Sequence, residues 1–422
     1  MTTRQLTKLT IATVVASTGL LMTLSATAIT ADEYTIKAAQ AFKEGRRSEA
    51  LADFDKAIEL SPKPAHYRNR AAFFVATKQW DKAAADYDKV LSMEKNDPAT
   101  LANRGYAYAE GGHLDKAIED FNAVLKLQPD NEKALRYRAF AYAAKKQNEQ
   151  AAADFSTLIA KKPNDPSLNK QRGDFYAAGQ KWPEAIADYT KALELNPKDL
   201  GALSARSLAY LHTNDKEKAQ ADLNTMVQAR PNDVEALQQR AQLNYDTEQY
   251  DAAIADYDKA ISLKATDPTL YSGRAYAKMK KSDKAGALAD FDKAIQSDPN
   301  TAAYYVARSY VYEAAGELDK AVADLTKTIA SKPDDKELLD RRGALYVKLN
   351  KFDEAMADFD KVLAADPNDF EATAGKGEAI AKKGDPKAGA ELLTKAEQLA
   401  SDPKQKQELQ NKRRAIGIGP LQ

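Results

Sequence analysis

The chain has 422 residues, of which 44% are hydrophobic and 29% are charged, and this balance excludes wholesale disorder. Lysine and arginine number 62, as do aspartate and glutamate, so no net positive field favours nucleic acid or an anionic membrane surface. There is no cysteine, which excludes disulfides, thiolate metal sites and a cysteine nucleophile. We therefore expect a folded protein that does not bind nucleic acid.

The N-terminal segment has the layout of a secretory signal peptide. Arg4 and Lys8 precede an uncharged apolar stretch, and an A-x-A cleavage box ends at Ala28. We expect residues 1–28 to be removed and the remaining chain to be periplasmic or secreted. The lack of cysteine favours a bacterial periplasm, because exported eukaryotic proteins of this size commonly carry disulfides. The alternative is an uncleaved anchor, the one membrane attachment we consider, because residues 9–29 are about as long as a bilayer-spanning helix.

From residue 31 onward, one phrase recurs with a period of 34 residues. AIADYTKALELNP, from Ala185, returns as AIADYDKAISLKA from Ala253 and as AMADFDKVLAADP from Ala355. The aspartate of this phrase occurs ten times, 33 residues apart at the first step and 34 at each later one: Asp53, Asp86, Asp120, Asp154, Asp188, Asp222, Asp256, Asp290, Asp324 and Asp358. We assign residues 31–401 to a repeat array and residues 402–422 to a capping helix with a short tail.

Each period is predicted to hold two helices. Prolines such as Pro163 and Pro197 end the second helix, and a following pair such as Asn164-Asp165 is suited to cap the next one. No stretch alternates with period two for long enough to form a sheet, so we predict an all-α fold. We expect the second helix of several repeats to have an N-cap aspartate: Asp81, Asp115, Asp251, Asp319 and Asp353.

The repeat resembles the tetratricopeptide repeat, whose W-x2-L-G-x2-Y…A-x3-F…P pattern it follows. In the third unit the matching residues are Leu101, Gly105, Tyr108, Ala117, Phe121 and Pro129. The resemblance covers about eleven helix-turn-helix units and implies a right-handed superhelical solenoid. It also implies that the first helices line a concave face where partner peptides bind. The scaffold hosts many functions, so the resemblance by itself does not specify one.

The chain departs from the family pattern where the first helix usually has leucine. Lys37 and Lys376 are at this place in the first and last units, and the other nine units have arginine: Arg70, Arg104, Arg138, Arg172, Arg206, Arg240, Arg274, Arg308 and Arg342. Helical spacing directs these arginines and the recurrent aspartates at the seam between helices. A catalytic carboxylate beside a cation is one interpretation. Ten equivalent carboxylates favour the other, a structural ladder of ion pairs within or between repeats, because buried charges are normally paired.

No motif in the sequence predicts catalysis. The three histidines, His66, His113 and His212, are far apart in the chain, and HExxH, GxSxG and GxxxxGK[ST] are absent. We predict a protein that is not an enzyme, with no catalytic residue, no metal and no cofactor.

The face that the resemblance implies for partner binding carries rings, aliphatic side chains and basic groups. Transferred by register, it comprises Arg68, Tyr106, Arg136, Phe140, Lys170, Leu208, Leu211, Tyr245, Tyr276 and Tyr310. Its basic residues lie in the N-terminal half, and the C-terminal half is more acidic, with Glu235, Glu337, Asp340 and Glu378. Aromatic rings and arginines suit peptide contact. Alternatively, several of the rings pack between repeats.

Three functions are compatible with these features. The leading hypothesis is a scaffold of the bacterial cell envelope that binds a peptide or helix of another envelope protein. The second is an accessory role in polysaccharide export or cell-wall assembly, with tyrosines stacking on glycan. A self-assembling structural protein is the third, and the polar C-terminal segment disfavours it.

Overall fold

A computed structural model of the chain describes residues 29–417, and the predicted signal peptide at residues 1–28 lies outside them. Within residues 29–417 the chain forms 23 α-helices and no β-strand, which confirms the predicted all-α fold. None of the helices in this part of the chain is both long and apolar enough to cross a membrane.

The helices form eleven successive pairs, each with a first and a second helix, followed by one further helix. The first eleven helices are α1 (Ala31–Lys43), α2 (Arg47–Leu60), α3 (Pro64–Ala76), α4 (Trp80–Met93), α5 (Pro98–Glu110), α6 (Leu114–Leu127), α7 (Glu132–Ala144), α8 (Asn148–Lys161), α9 (Pro166–Ala178), α10 (Trp182–Leu195) and α11 (Leu200–His212). The remaining helices are α12 (Lys216–Ala229), α13 (Val234–Asp246), α14 (Tyr250–Leu263), α15 (Pro268–Lys280), α16 (Lys284–Ser297), α17 (Ala302–Ala315), α18 (Leu318–Ile329), α19 (Lys336–Lys348), α20 (Phe352–Ala365), α21 (Phe370–Lys383), α22 (Pro386–Leu399) and α23 (Pro403–Ala415).

The described residues divide into two compact units, 29–219 and 220–417, with the boundary inside α12. Within each unit the helix pairs stack in sequence order. In the N-terminal unit, for example, α9 packs against α10 of its own repeat and against α8 of the preceding one. In the C-terminal unit α19 packs in the same way against α20 and α18. Each repeat therefore buries its apolar surface against its neighbours.

The glycine of the first helix and the aromatic residue of the second meet where the two helices cross. Phe121 and Ala117 are fully buried, and a Cβ on Gly105 would lie 2.9 Å from the Phe121 ring. In another repeat, a Cβ on Gly173 would lie 2.7 Å from the Tyr189 ring. The recurring glycine thus allows the ring to fill the space between helices at the packing density of a protein core.

Aspartates cap first helices as the sequence predicts. The Asp165 carboxylate accepts a hydrogen bond from the backbone N–H of Ser167 at the start of α9. Asp233 accepts from the backbone N–H groups of Glu235 and Ala236 at the start of α13. These bonds satisfy donors that would otherwise lack an intrahelical partner.

The predicted N-caps of the second helices are wrong. The N-caps of α4 and α6 are Gln79 and His113, neither of which makes a side-chain capping bond. Asp81 lies in the first turn of α4, because the helix begins one residue earlier at Trp80. The same holds for the other second helices, in which the aspartates lie within the first turn: Asp115, Asp251, Asp319 and Asp353. There they face the positive end of the helix dipole.

The two helices of each pair are joined by a turn with one residue in the left-handed conformation. These residues are Gly45, Lys78, Gly112, Lys146, Gln180, Asn214, Glu248, Ser282, Gly316, Asn350 and Gly384. Seven of the eleven carry a side chain, and each of the seven has φ between 58° and 64°. A side chain in this region costs about 1–2 kcal/mol relative to the right-handed conformation. Packing of the repeats therefore imposes these turns.

The final helix, α23, packs against both α21 and α22. Leu409 is its buried residue and joins a core cluster with Phe370, Leu393 and Ala396. Most other residues of α23 are polar or charged. The helix thus covers apolar surface of the last pair and presents a polar side to water.

Candidate functional site

The recurrent arginines and aspartates pair within single repeats. In Arg172, Nε donates to Oδ2 of Asp188 at 2.7 Å and Nη2 donates to Oδ1 at 2.6 Å. This two-pronged contact joins residues 16 positions apart, on the first and second helices of one pair. The structure contains the same contact, with N–O distances of 2.5–2.9 Å, in Arg70–Asp86, Arg104–Asp120, Arg138–Asp154, Arg240–Asp256, Arg274–Asp290, Arg308–Asp324 and Arg342–Asp358.

The third arm of each guanidinium reaches the preceding repeat. Nη1 of Arg172 donates to Oγ of Ser156 at 2.9 Å, and Nη1 of Arg104 contacts Asp88 Oδ1 at 2.6 Å. The acceptor always lies two residues after the aspartate of the preceding second helix. The full set is Asp55, Asp88, Asn122, Ser156, Thr190, Asn224, Asp258, Asp292 and Thr326, at 2.5–3.1 Å from Nη1. One guanidinium therefore joins its own two helices and the neighbouring repeat.

Sequence analysis did not identify this third contact. The signal was present, because the second residue after each recurrent aspartate is always Asp, Asn, Ser or Thr. All four side chains present an oxygen that can accept from an arginine N–H. The last residue of the pattern Asp-x-[Asp/Asn/Ser/Thr] thus predicts a hydrogen bond from the arginine of the next repeat.

The recurrent aspartates of the ladder are buried, and burial and pairing act on them in opposite directions. The ten recurrent aspartates are only 3–7% exposed. Burial raises the pKa of Asp120, and the hydrogen bonds from Arg104 oppose that rise. The hydrogen bonds to Asp120 in turn raise the pKa of Arg104 above its ordinary value. In each of the eight pairs both carboxylate oxygens accept from the same guanidinium, so the arrangement suits structure better than proton transfer.

The first repeat shows what the guanidinium contributes. Lys37 replaces arginine there, and its Nζ lies 3.4 Å from Oδ1 of Asp53. Oδ2 of Asp53 is buried and has no hydrogen-bond partner within residues 29–417. An ammonium is a point charge, whereas the planar guanidinium serves both oxygens at once. Arginine is therefore needed to satisfy the carboxylate fully.

The first-helix surface, defined here as the ten residues predicted for partner binding, is partly apolar and exposed. Five of its members are exposed: Phe140, Leu208, Leu211, Tyr276 and Tyr310. The other five are half-buried: Arg68, Tyr106, Arg136, Lys170 and Tyr245. Several of its rings also contact neighbouring rings. Phe140 lies 5.8 Å from Phe175 between ring centres, and Tyr106 lies 5.3 Å from Tyr137.

The basic members of this surface already have acidic partners. Arg68 Nη2 lies 3.2 Å from Oδ2 of Asp97, and Lys170 Nζ lies 2.9 Å from a carboxylate oxygen of Asp174. The third basic residue, Arg136, pairs with Glu132 at 3.1 Å. The expected positive character of the N-terminal half is thus neutralised locally, which corrects the picture drawn from the three basic residues alone.

In the C-terminal unit, part of the first-helix surface forms a groove of about 410 Å³. Its apolar lining comes from α15, α17 and α19: Tyr276, Met279, Val306, Tyr310 and Leu338. Lys332 and Asp335 also line it. The groove brings two of the predicted residues, Tyr276 and Tyr310, into one concave site. Within residues 29–417, no group of three or more histidine, aspartate and glutamate side chains is arranged to hold a metal ion.

Several solved structures are similar to this chain. The C-terminal part of a TPR repeat-containing protein from Cytophaga hutchinsonii is 19% identical, with a TM-score of 0.50 over 56% of this chain and 97% of that one. A tetratricopeptide repeat protein from Parabacteroides merdae is 22% identical, with a TM-score of 0.42 over 59% of this chain and 98% of that one. YrrB, described as a TPR protein with an unusual peptide-binding site, is 22% identical, with a TM-score of 0.39 over 43% and 94%. The first likeness supports the fold alone.

Family sequence profiles identify the repeats directly. One described as "TPR repeat" matches residues 241–282, and one described as "Tetratricopeptide repeat" matches residues 98–131. A second tetratricopeptide repeat profile matches residues 38–99, 171–234, 273–336 and 341–405. A search of curated proteins gives no match. Because the four segments matched by the second profile together span more than half of the sequence, the chain belongs to the tetratricopeptide repeat family.

Proposed function

We propose that the chain is a non-catalytic scaffold that binds a peptide or helix of a partner protein on its first-helix surface. The main observation behind this proposal is that large apolar side chains are exposed at the same position of the first helix in several repeats. Phe140, Tyr276 and Tyr310 occupy this position in their repeats and are 40–51% exposed. Within the C-terminal unit, the rings of Tyr276 and Tyr310 lie in successive repeats and are suited to anchor an extended or helical segment.

The ion-pair ladder supports the non-catalytic part of this proposal. A general acid or base needs a proton that it can exchange near neutral pH. Asp188, for example, is buried and has both oxygens bound to Arg172, whose own pKa is raised by that contact. The same geometry recurs in successive repeats, whereas an active site requires one distinct constellation. We therefore assign these charges to the structure of the scaffold.

We place the scaffold in the bacterial cell envelope, as a periplasmic or secreted protein. This part of the proposal rests on the signal-like segment at residues 1–28 and on the absence of cysteine. N-terminal sequencing of the protein purified from its native cells tests it. A first residue of Ile29 supports export with cleavage, and a chain that retains residues 1–28 contradicts the cleavage.

Affinity capture from an envelope extract tests the binding surface. The variant is Tyr276→Ala with Tyr310→Ala, and the matched control is Leu263→Ala, since Leu263 is a 40% exposed apolar residue on the second helix α14. A protein captured by the unchanged chain and by the control, but lost from the double variant, is the expected result. Capture that is equal for all three chains contradicts the assigned surface. Retention of glycan without protein would favour the polysaccharide role instead.

A further inference from the structure

A carboxyl group with incomplete hydrogen bonding lies on α19, one of the helices that line the groove of the C-terminal unit. Val306 of α17 lines the groove, and Asp340 is its equivalent in α19, 34 residues further along the chain. Oδ1 of Asp340 is buried and has no hydrogen-bond partner among residues 29–417. A buried carboxylate oxygen of this kind is costly, and a cation brought close to the group would offset that cost.

The surroundings of Asp340 are predominantly acidic. Burial raises its pKa to about 7, and the neighbouring Asp369 adds to that rise. Lys336 of α19, whose positive charge opposes this rise, is already paired with Asp369. Glu371 of α21 and Asp358 of α20 add further negative charge. The site therefore has an unmet preference for positive charge.

The next residue along α19 does not supply that charge. The guanidinium of Arg341 instead covers Tyr310, with Cζ 3.0 Å from the centre of the ring, and donates to Glu313 at 3.3 Å. Glu313 also pairs with Lys348. Arg341 and Lys348 are thus both directed towards Glu313 of α17.

We propose that the partner segment inserts an apolar side chain into the groove and places a lysine or arginine against Asp340. This inference rests on the peptide-binding function proposed above and adds the chemistry of the partner. Helices that pack side by side lie about 8–10 Å apart, and an extended chain advances about 3.3 Å per residue. In an extended partner segment, the basic residue therefore lies about three positions from the apolar residue. Arg68, Arg136 and Lys170 of the N-terminal unit give no comparable site, because acidic side chains of that unit already pair with them.

Selection from random phage-displayed dodecapeptides tests this chemistry, with the immobilised full-length chain as the target. The informative variants are Asp340→Asn, which keeps the size of the side chain, and Tyr276→Ala with Tyr310→Ala. Asp334→Asn is the matched control, because Asp334 is an exposed aspartate in the turn before α19. Circular dichroism establishes that each variant is folded before selection.

We expect the unchanged chain and Asp334→Asn to enrich peptides with a large apolar residue and a basic residue about three positions away. Asp340→Asn should still select the apolar residue but lose the enrichment of lysine and arginine. A peptide selected on the unchanged chain should bind the Asp340→Asn variant with roughly fivefold to tenfold lower affinity.

Basic enrichment that survives in Asp340→Asn overturns the inference. Peptides that carry only the apolar residue also overturn it, while leaving the proposed function intact. If no peptide depends on Tyr276 and Tyr310, both the inference and the assigned surface are wrong.

Discussion

Replacement of Arg172 by leucine removes a guanidinium that makes three contacts at once. Two hydrogen bonds to Asp188, at 2.6 and 2.7 Å, and one to Ser156, at 2.9 Å, are lost. The larger consequence is that the carboxylate of Asp188, which is 5% exposed, is left without its cation in the seam between α9 and α10. Breaking a buried pair by removing one partner costs about 3–5 kcal/mol. Because the Arg172 side chain is itself 23% exposed, we expect the lower end, about 3 kcal/mol.

Urea denaturation, combined with hydrogen exchange of the amides of α9 and α10, measures this loss. Stability in a repeat array is close to a sum of repeat and nearest-neighbour contributions, so exchange should rise most in these two helices and in α8. Lys126→Leu is the control, since it introduces the same side chain at an exposed position of α6. Small and equal effects of Arg172→Leu and Lys126→Leu would refute the reasoning.

Three further predictions concern individual residues. Lys37→Arg should stabilise α1 and α2 by about 1 kcal/mol, because a guanidinium can also satisfy Oδ2 of Asp53. Amide hydrogen exchange in these two helices should become slower, and unchanged or faster exchange would contradict the prediction. Glu248→Gly should raise the melting temperature and Gly316→Ala should lower it, since both residues are in the left-handed region; a fall for Glu248→Gly or a rise for Gly316→Ala would contradict the turn analysis. Burial raises the pKa of Asp340 to about 7, so ionisation penalises the folded state increasingly from about pH 4 to pH 7. Asp340→Asn should therefore gain about 1–2 kcal/mol over the unchanged chain at pH 8, after allowance for solvent screening, and nothing at pH 3.

The helix pairs could be predicted from sequence because their boundaries depend on local chemistry. The prolines that end the second helices and the aspartates that cap the first, such as Asp165 and Asp233, act within a few residues. The N-caps of the second helices could not be placed in the same way. Asp81 lies only two residues from the true cap, and the left-handed turn at Lys78 determines where α4 begins.

The partners of the charged residues were harder to predict, because helical spacing gives the face of a side chain but not the distance to another helix. The pairing of Arg172 with its own repeat, and its third contact with Ser156, depend on how the helices pack. The same limit applies to Arg68, whose partner Asp97 lies 29 residues away. By contrast, the contact between Lys170 and Asp174 is visible as an i,i+4 pair.

A double-mutant cycle on Arg172 and Asp188 tests most directly whether the recurrent charges are a structural device. Arg172→Leu, Asp188→Leu and the double variant are compared by their free energies of unfolding. We expect the double variant to lose at least about 1.5 kcal/mol less than the sum of the single losses, because neither charge is then left buried alone. Losses that add to within about 0.5 kcal/mol would show that the two side chains do not depend on each other, and would contradict the ladder.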